Sequence, residues 1–282
     1  MAFVAHPMDP IGAELAGRDL GKGLSDSEFA ELRAALLSHG ILVLREQTLD
    51  EAQQLALGRR FGPLEGQEFN ADSSDLLVIS NVLEDGQVAS PRSGRMKSIS
   101  INEVWHTDSS FREIPAAVSI FKAVEVPPEG GDTFYASLRR GWLELDRARR
   151  ANLAGLRAIH DYAAAYDRAG GRLPDEAQRL MKPVVHPILR RHPETGETAL
   201  YVSGHTRDIE GMPTAQGSAL LQELVAWCTR EGRVYRHRWR AGDLVLWDNR
   251  SMLHRAQGFD ERSPRVMHHV RVAGEGPVIA PD

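Results

Sequence analysis

Cysteine is almost missing from this sequence: Cys228 is the only one in 282 residues. One thiol excludes an intramolecular disulfide and any metal cluster built on thiolates alone, since both need more. Cys228 ends the apolar stretch LLQELVAWC, so a buried, inert thiol is expected there. No apolar run approaches the roughly 20 residues that a membrane-spanning helix requires. The opening MAFVAHPMDP has no basic segment followed by an apolar run, so no secretory signal is expected and the cytoplasm is the default compartment. An excess of positive charge is missing as well. With 34 Lys+Arg against 39 Asp+Glu the formal net charge is -5, which gives no global field for nucleic acid. Arg147, Arg149 and Arg150 form a local cluster that reads as a solvated helix face. Linkers, internal repeats and low-complexity tracts are also missing, so residues 1–282 are expected to form a single domain.

What is present is an ordinary hydrophobic fraction of 42%, enough for a stable core without staples. Ser25 with Glu28 reads as a capping box for a helix that stops at Gly40, and Thr48 with Glu51 repeats the signal for a helix closing near Gly62-Pro63. Between them Ile41-Leu42-Val43-Leu44 has the length and composition of a buried strand, and 76–79 suggests another. Residues 84–100 are polar and aperiodic, as expected of a lid or binding loop. From Trp105 onward strand signals dominate: 117–126, 188–189 and 200–202 around a His192-Pro193-Glu194-Thr195-Gly196 turn, then 233–239, 244–247 and 265–272. Helices are predicted over 138–156, 175–181 and 215–229, making insertions of about 138–181 and 214–230. The pattern predicts an all-β core of jelly-roll type with helical insertions.

The strongest local chemical feature is Trp105-His106-Thr107-Asp108. Residues two apart in an extended segment point to the same face, so an imidazole and a carboxylate can converge on one ion; on a helix they would diverge. His254 is a candidate third ligand. Two histidines and one carboxylate leave coordination positions open, which suits non-haem iron oxygenases. His-X-Asp alone is weak evidence, but Gly130-Gly131-Asp132-Thr133 lies between the candidate ligands and Arg265 follows His254. A keto-diacid that chelates iron at one end needs a cation for its distal carboxylate. Arginine gives two parallel charge-assisted hydrogen bonds, and a threonine hydroxyl adds a third.

These stretches, with residues 61–66 (FGPLEG), Ser109-Ser110-Phe111 and residues 242–250 (GDLVLWDNR), resemble the taurine and 2,4-D dioxygenase superfamily of iron(II)/2-oxoglutarate oxygenases. The resemblance spans nearly the whole chain. It implies a double-stranded β-helix in which His106, Asp108 and His254 bind iron(II), while Thr133 and Arg265 hold 2-oxoglutarate as cosubstrate. It also implies consumption of dioxygen, release of succinate and carbon dioxide, and a homo-oligomer acting on a small organic anion. Val126-Pro127-Pro128, Glu210-Gly211-Met212-Pro213 and Tyr235-Arg236-His237-Arg238-Trp239 look like the aryloxyalkanoate branch, which hydroxylates beside an ether oxygen and releases a phenol.

One position departs from that pattern. In the taurine enzyme and the enzyme first known for 2,4-D, an arginine serving the substrate anion stands four positions after the cosubstrate arginine; here it is His269. Enantioselective phenoxypropionate dioxygenases are similar to this chain in having a histidine there and an arginine two beyond, which corresponds to Arg271. If the segment is a strand, Arg265, Met267, His269 and Arg271 share a face while His268 points away. Arg271 is then a candidate for the substrate anion or for a structural ion pair. Asn102 and His205 are further candidates for the pocket wall, with turn-forming and structural roles as their alternatives. Trp105 and Trp247 read as core, and Asp248 with Arg250 as a structural ion pair. A taurine, alkylsulfonate or alkylsulfate dioxygenase, a zinc hydrolase and a non-catalytic ligand-binding jelly roll remain open on residues alone.

Overall fold

Apolar runs buried on both faces set the centre of the fold. In the computed structural model residues 3–66, 75–90, 93, 96, 99–168 and 170–282 are described. The strand Ala116–Glu125 is buried along most of its length and pairs antiparallel with Leu244–Asp248 on one side and Val266–Ala273 on the other. The complete seven-stranded order is Val4–Pro7, Ala13–Ala16, Ile41–Leu44, Leu244–Asp248, Ala116–Glu125, Val266–Ala273, Leu76–Ser80. A strand covered on both faces reads as a continuous apolar run, which is why Ile41–Leu44 stood out in the sequence. A three-stranded sheet, Val234–His237, Thr133–Ser137 and Met252–Ala256, provides a second layer.

Alternation along the strands places the two layers face to face. Leu42, Leu44, Leu244 and Leu246 point outward, where Leu32, Leu36 and Leu57 of the helices Asp26–His39 and Glu51–Phe61 cover them. Ile41, Val43, Val245, Trp247 and Phe121 point inward and meet Tyr135 of the smaller sheet. On that smaller sheet Ala136 and Leu253 face outward against Leu221, Leu224 and Cys228 of the helix Thr214–Cys228. The neighbour of Leu253, His254, therefore faces the interior between the sheets.

Most predicted elements occur where expected, including the hairpin Leu189–Arg191 with Thr198–Leu200. The strand expected over 200–202 is Thr198–Leu200, and two helices differ for local reasons. The helix Glu51–Phe61 is capped by Asp50 with Gln53, not by Thr48 with Glu51; Thr48 bonds to Asp19 instead. The helix expected over 138–156 is divided into Leu138–Leu143 and Arg147–Leu153, because the Asp146 side chain accepts from the Arg149 backbone and starts a new helix. Of the expected lid at 84–100, residues 91, 92, 94, 95, 97 and 98 lie outside the described residues; its start is pinned by a bridge between Val82 and Val88. No helix of the described residues is long and apolar enough to cross a membrane.

Candidate metal centre and adjoining cavity

His106 and His254 meet through their backbones before their rings do anything. Each donates its backbone N–H to the other's carbonyl, at 2.9 and 2.8 Å, forming an isolated antiparallel bridge. Asp108 lies two residues beyond His106 on the same extended segment, and its Oδ1 is 4.0 Å from His106 Nε2 and 3.8 Å from His254 Nε2. The three candidate ligand atoms all lie within 4.8 Å of one another. Atoms held about 2.1 Å from a shared ion can be at most about 4.2 Å apart, so sub-ångström movements close this set onto a metal. The Val104 carbonyl accepts from His106 Nδ1 at 2.7 Å, which leaves the Nε2 lone pair facing Asp108.

The electrostatics suit a metal. Burial raises the Asp108 carboxyl, but its electrostatic neighbours, His254 and His269 first and Arg271 among them, outweigh that and hold Asp108 below the usual carboxylate range. Burial pushes His254 well below its ordinary value, so it stands neutral, the form that ligates. The Asp108 carboxylate is also held by hydrogen bonds. Ser119 Oγ lies 2.6 Å from Oδ2, Asn249 Nδ2 donates to Ser119 Oγ at 2.8 Å, and Asn249 Oδ1 accepts from the Asp108 backbone and from Trp247 Nε1.

Arg265 is 5% exposed, and no carboxylate of the described residues is paired with it. Burial pushes its guanidinium down to about 10, as expected for a cation taken from water without a counter-anion. Its backbone is anchored to Asn81, and Gly131 makes room for it: a Cβ on Gly131 would stand 3.3 Å from Arg265 Nε, at a φ of +69° that favours glycine anyway. Thr133 accepts from Trp239 Nε1 at 2.9 Å, so its own hydroxyl hydrogen remains to be donated. Thr133 stands opposite Ala256 and His254 opposite Tyr135, which puts Thr133 and the candidate ligand His254 on the same inner face.

One cavity of about 950 Å³ brings all nine predicted site residues together: His106, Asp108, His254, Thr133, Arg265, Asn102, His205, His269 and Arg271. Asn102 sits in the short 3₁₀ turn Ile101–Glu103. His205 is buried against Ser110 Oγ at 3.3 Å, and burial, reinforced by His106, pushes its imidazole down to about 3. His269 is likewise pushed down to about 4 by burial; its Nε2 is 3.6 Å from Asp108 Oδ2. Arg271 is ion-paired with buried Glu65 at 3.0 Å while also lining the cavity, and Arg112 approaches the same carboxylate at 3.4 Å. His268 points away toward Glu51, as the strand period requires. Met267 shares the inner face but packs in the core with Phe121 and Trp247. Phe111, Tyr162, Leu173, Pro174 and Met181 form an apolar wall. Sequence reasoning missed Glu65, Arg112 and Ser119. The one available signal was a serine inside the apolar run AAVSIF, a poor fit to a fully buried strand unless its hydroxyl has a task.

Comparisons with known proteins identify the family. Residues 5–272 match the family described as "Taurine catabolism dioxygenase TauD, TfdA family". The chain is 38% identical over 276 residues to the alpha-ketoglutarate-dependent 2,4-dichlorophenoxyacetate dioxygenase of Cupriavidus pinatubonensis, covering 95% of this chain and 96% of that one. It is 36% identical to the (S)-phenoxypropionate/alpha-ketoglutarate-dioxygenase of Delftia acidovorans, over 94% of this chain and 92% of that one. Among solved structures it is similar to AAD-2 in complex with Mn(II) and N-oxalylglycine, with a TM-score of 0.92, 32% identity and 99% of each chain covered. The chain belongs to the TauD, TfdA dioxygenase family.

Proposed function

We propose that the chain is an iron(II)- and 2-oxoglutarate-dependent dioxygenase that hydroxylates a small aryloxyalkanoate beside its ether oxygen, in the manner of its 2,4-dichlorophenoxyacetate and phenoxypropionate relatives. The observation that carries this reading is the buried, carboxylate-free Arg265 in the same cavity as a His–Asp–His set. A metal hydrolase has no use for that cation, whereas a keto-diacid does. When bound, iron(II) with 2-oxoglutarate and dioxygen supplies the oxidation that converts a substrate C–H to C–OH, with succinate and carbon dioxide released.

The chain's own residues set the stage for that chemistry. His106, Asp108 and His254 would hold the ion, three side chains being few enough to leave it open to the cosubstrate. Arg265 forks onto the distal carboxylate, and Thr133, turned into a donor by Trp239, adds its hydroxyl hydrogen. The apolar wall takes the aryl group and keeps water from the reacting carbon. Arg271, with neutral His269 and His205 beside it, forms the polar end that receives the substrate carboxylate. The two facing sheets correspond to the walls of a double-stranded β-helix. On this reading the enzyme works in the cytoplasm on a dissolved anion.

The test is anaerobic addition of 2-oxoglutarate to iron-loaded protein. A visible metal-to-ligand charge-transfer band is expected, and its absence with proven iron occupancy sinks the assignment. Succinate release with 2,4-dichlorophenoxyacetate and with each enantiomer of 2-phenoxypropionate, against taurine and alkyl sulfates, then decides the substrate class.

A further inference from the structure

Ser119 is an anomaly in its surroundings. It sits in the strand Ala116–Glu125, flanked on both sides by paired strands, opposite Trp247 on one and Arg271 on the other, and it is fully buried. A valine or alanine suits such a position, and a buried hydroxyl is costly unless its hydrogen bonds are made. Those bonds lead to one place. Ser119 Oγ accepts from Asn249 Nδ2 at 2.8 Å, so its own hydrogen is left for Asp108 Oδ2, 2.6 Å away. Asn249 has no choice of orientation: its Oδ1 already accepts from Trp247 Nε1 at 2.9 Å and from the Asp108 backbone at 3.1 Å. Ser119, Asn249 and Trp247 are all 1% exposed or less, so water does not compete for these bonds.

The consequence falls on the two oxygens of Asp108. Oδ1 is the one turned toward both histidines, while Oδ2 is held by Ser119. The terminal torsion of an aspartate is broad and nearly two-fold, so the side chain by itself does not choose between its oxygens. We infer that Ser119, oriented by Asn249, is a positioning residue that pins Oδ2 and reserves Oδ1 as a single-oxygen ligand, thereby setting the metal affinity of the site. This rests on the metal-binding reading above. Without the hydroxyl the carboxylate is free to swing. Both oxygens can then approach the ion and take a position meant for cosubstrate, or Oδ2 can turn toward His269 Nε2, now 3.6 Å away. Partners that orient a ligand from behind commonly carry a large share of metal affinity.

Mn(II) is a suitable probe, titrated into metal-free protein while the free-ion electron paramagnetic resonance signal is followed. Ser119→Ala is expected to raise the Mn(II) Kd about 10- to 100-fold, whereas Ser119→Thr, which keeps the hydroxyl, stays within about threefold of the parent. The thermal midpoint of the metal-free variants reports packing separately. A purely structural serine would lower that midpoint and leave the Kd alone. Parent-like Mn(II) affinity in Ser119→Ala overturns the role of Ser119 while leaving the metal site intact. Failure of the parent chain itself to bind Mn(II) overturns the metal site and this role together. Should the alanine variant not fold, Ser119→Cys keeps the shape with a weaker donor and is judged by the same shift in Kd.

Discussion

Two buried carboxylate–imidazole sites each draw on the stretch 248–254, and they are built on opposite principles. Around Asp248 the carboxylate itself is answered at close range. His192 Nε2 is at 2.9 Å, Arg250 Nε and Nη2 each reach the carboxylate at 2.8 Å, and Glu194 takes the remaining Arg250 nitrogen at 2.7 Å. Even His192 Nδ1 is used, accepting from the Glu194 and Thr195 backbones. Around Asp108 the polar atoms are left wanting. The two imidazole nitrogens stand 3.8 and 4.0 Å off, and Arg265 carries a buried charge with no carboxylate among the described residues. Saturation makes a structural knot, and vacancy in hydrogen bonding makes a place for a ligand. The knot also serves the site, since it fixes the turn that carries Asn249.

The contrast can be broken experimentally, beginning where the effect is largest. His254→Ala should lower 2-oxoglutarate turnover at least roughly a thousandfold, about 4 kcal/mol of barrier, with a nearly unchanged melting curve. Preserved succinate release would show that iron is held elsewhere. Arg250→Ala should behave the other way round. Stranding Asp248 costs about 3–5 kcal/mol in urea unfolding, while folded molecules keep their activity. A loss below about 1 kcal/mol would mean the knot is ornamental. Arg265→Met should weaken 2-oxoglutarate binding about a hundredfold, close to 3 kcal/mol, yet stabilise the cosubstrate-free protein by removing an uncompensated charge. If calorimetry instead finds Arg265→Met as destabilising as Arg250→Ala, the distinction between the two sites disappears.

His160 sharpens the comparison by a smaller effect. It is fully buried with neither ring nitrogen hydrogen-bonded, stacked on Tyr201 at 5.2 Å, and it does not line the cavity. Burial, helped by His186 and His205, holds its folded value well below 6.5. As pH falls through 6.5 the unfolded chain takes a proton that the folded chain refuses, so the stability it contributes is present above 6.5 and lost below it. His160→Phe should flatten the stability-versus-pH curve between pH 6.5 and 5 by on the order of 1 kcal/mol. An unaltered slope would assign the acid sensitivity to other groups.

Much of the site was legible because it rests on periodicity. His106 with Asp108, and Arg265 with His269 and Arg271, lie on one face of extended chain, and the two-residue repeat follows from backbone geometry alone. The turn at Gly130-Gly131 was legible because both glycines take positive φ, Gly130 closing on the Gly258 carbonyl and Gly131 on Pro127 and Arg265. What stayed hidden depends on contacts across sheets. Glu65, which answers Arg271, and Ser119, which answers Asp108, come from segments whose local pattern says nothing about where they will meet. The helix predicted over 138–156 failed for a local reason: apolar residues recur along the whole segment, but Asp146 restarts the helix through its own side chain.

The pairing of Leu44 with Leu244, and of the His106 backbone with that of His254, has a consequence for assembly in time. Both join segments more than a hundred residues apart, and contacts so far apart along the chain are slow to close. A chain in which Leu244–Asp248 and Met252–Ala256 have not yet docked therefore has neither the middle of its main sheet nor the third member of the candidate ligand set. The set of His106, Asp108 and His254 therefore closes only after these strands dock, and until then the apolar strand Ile41–Leu44 lacks its neighbour Leu244–Asp248.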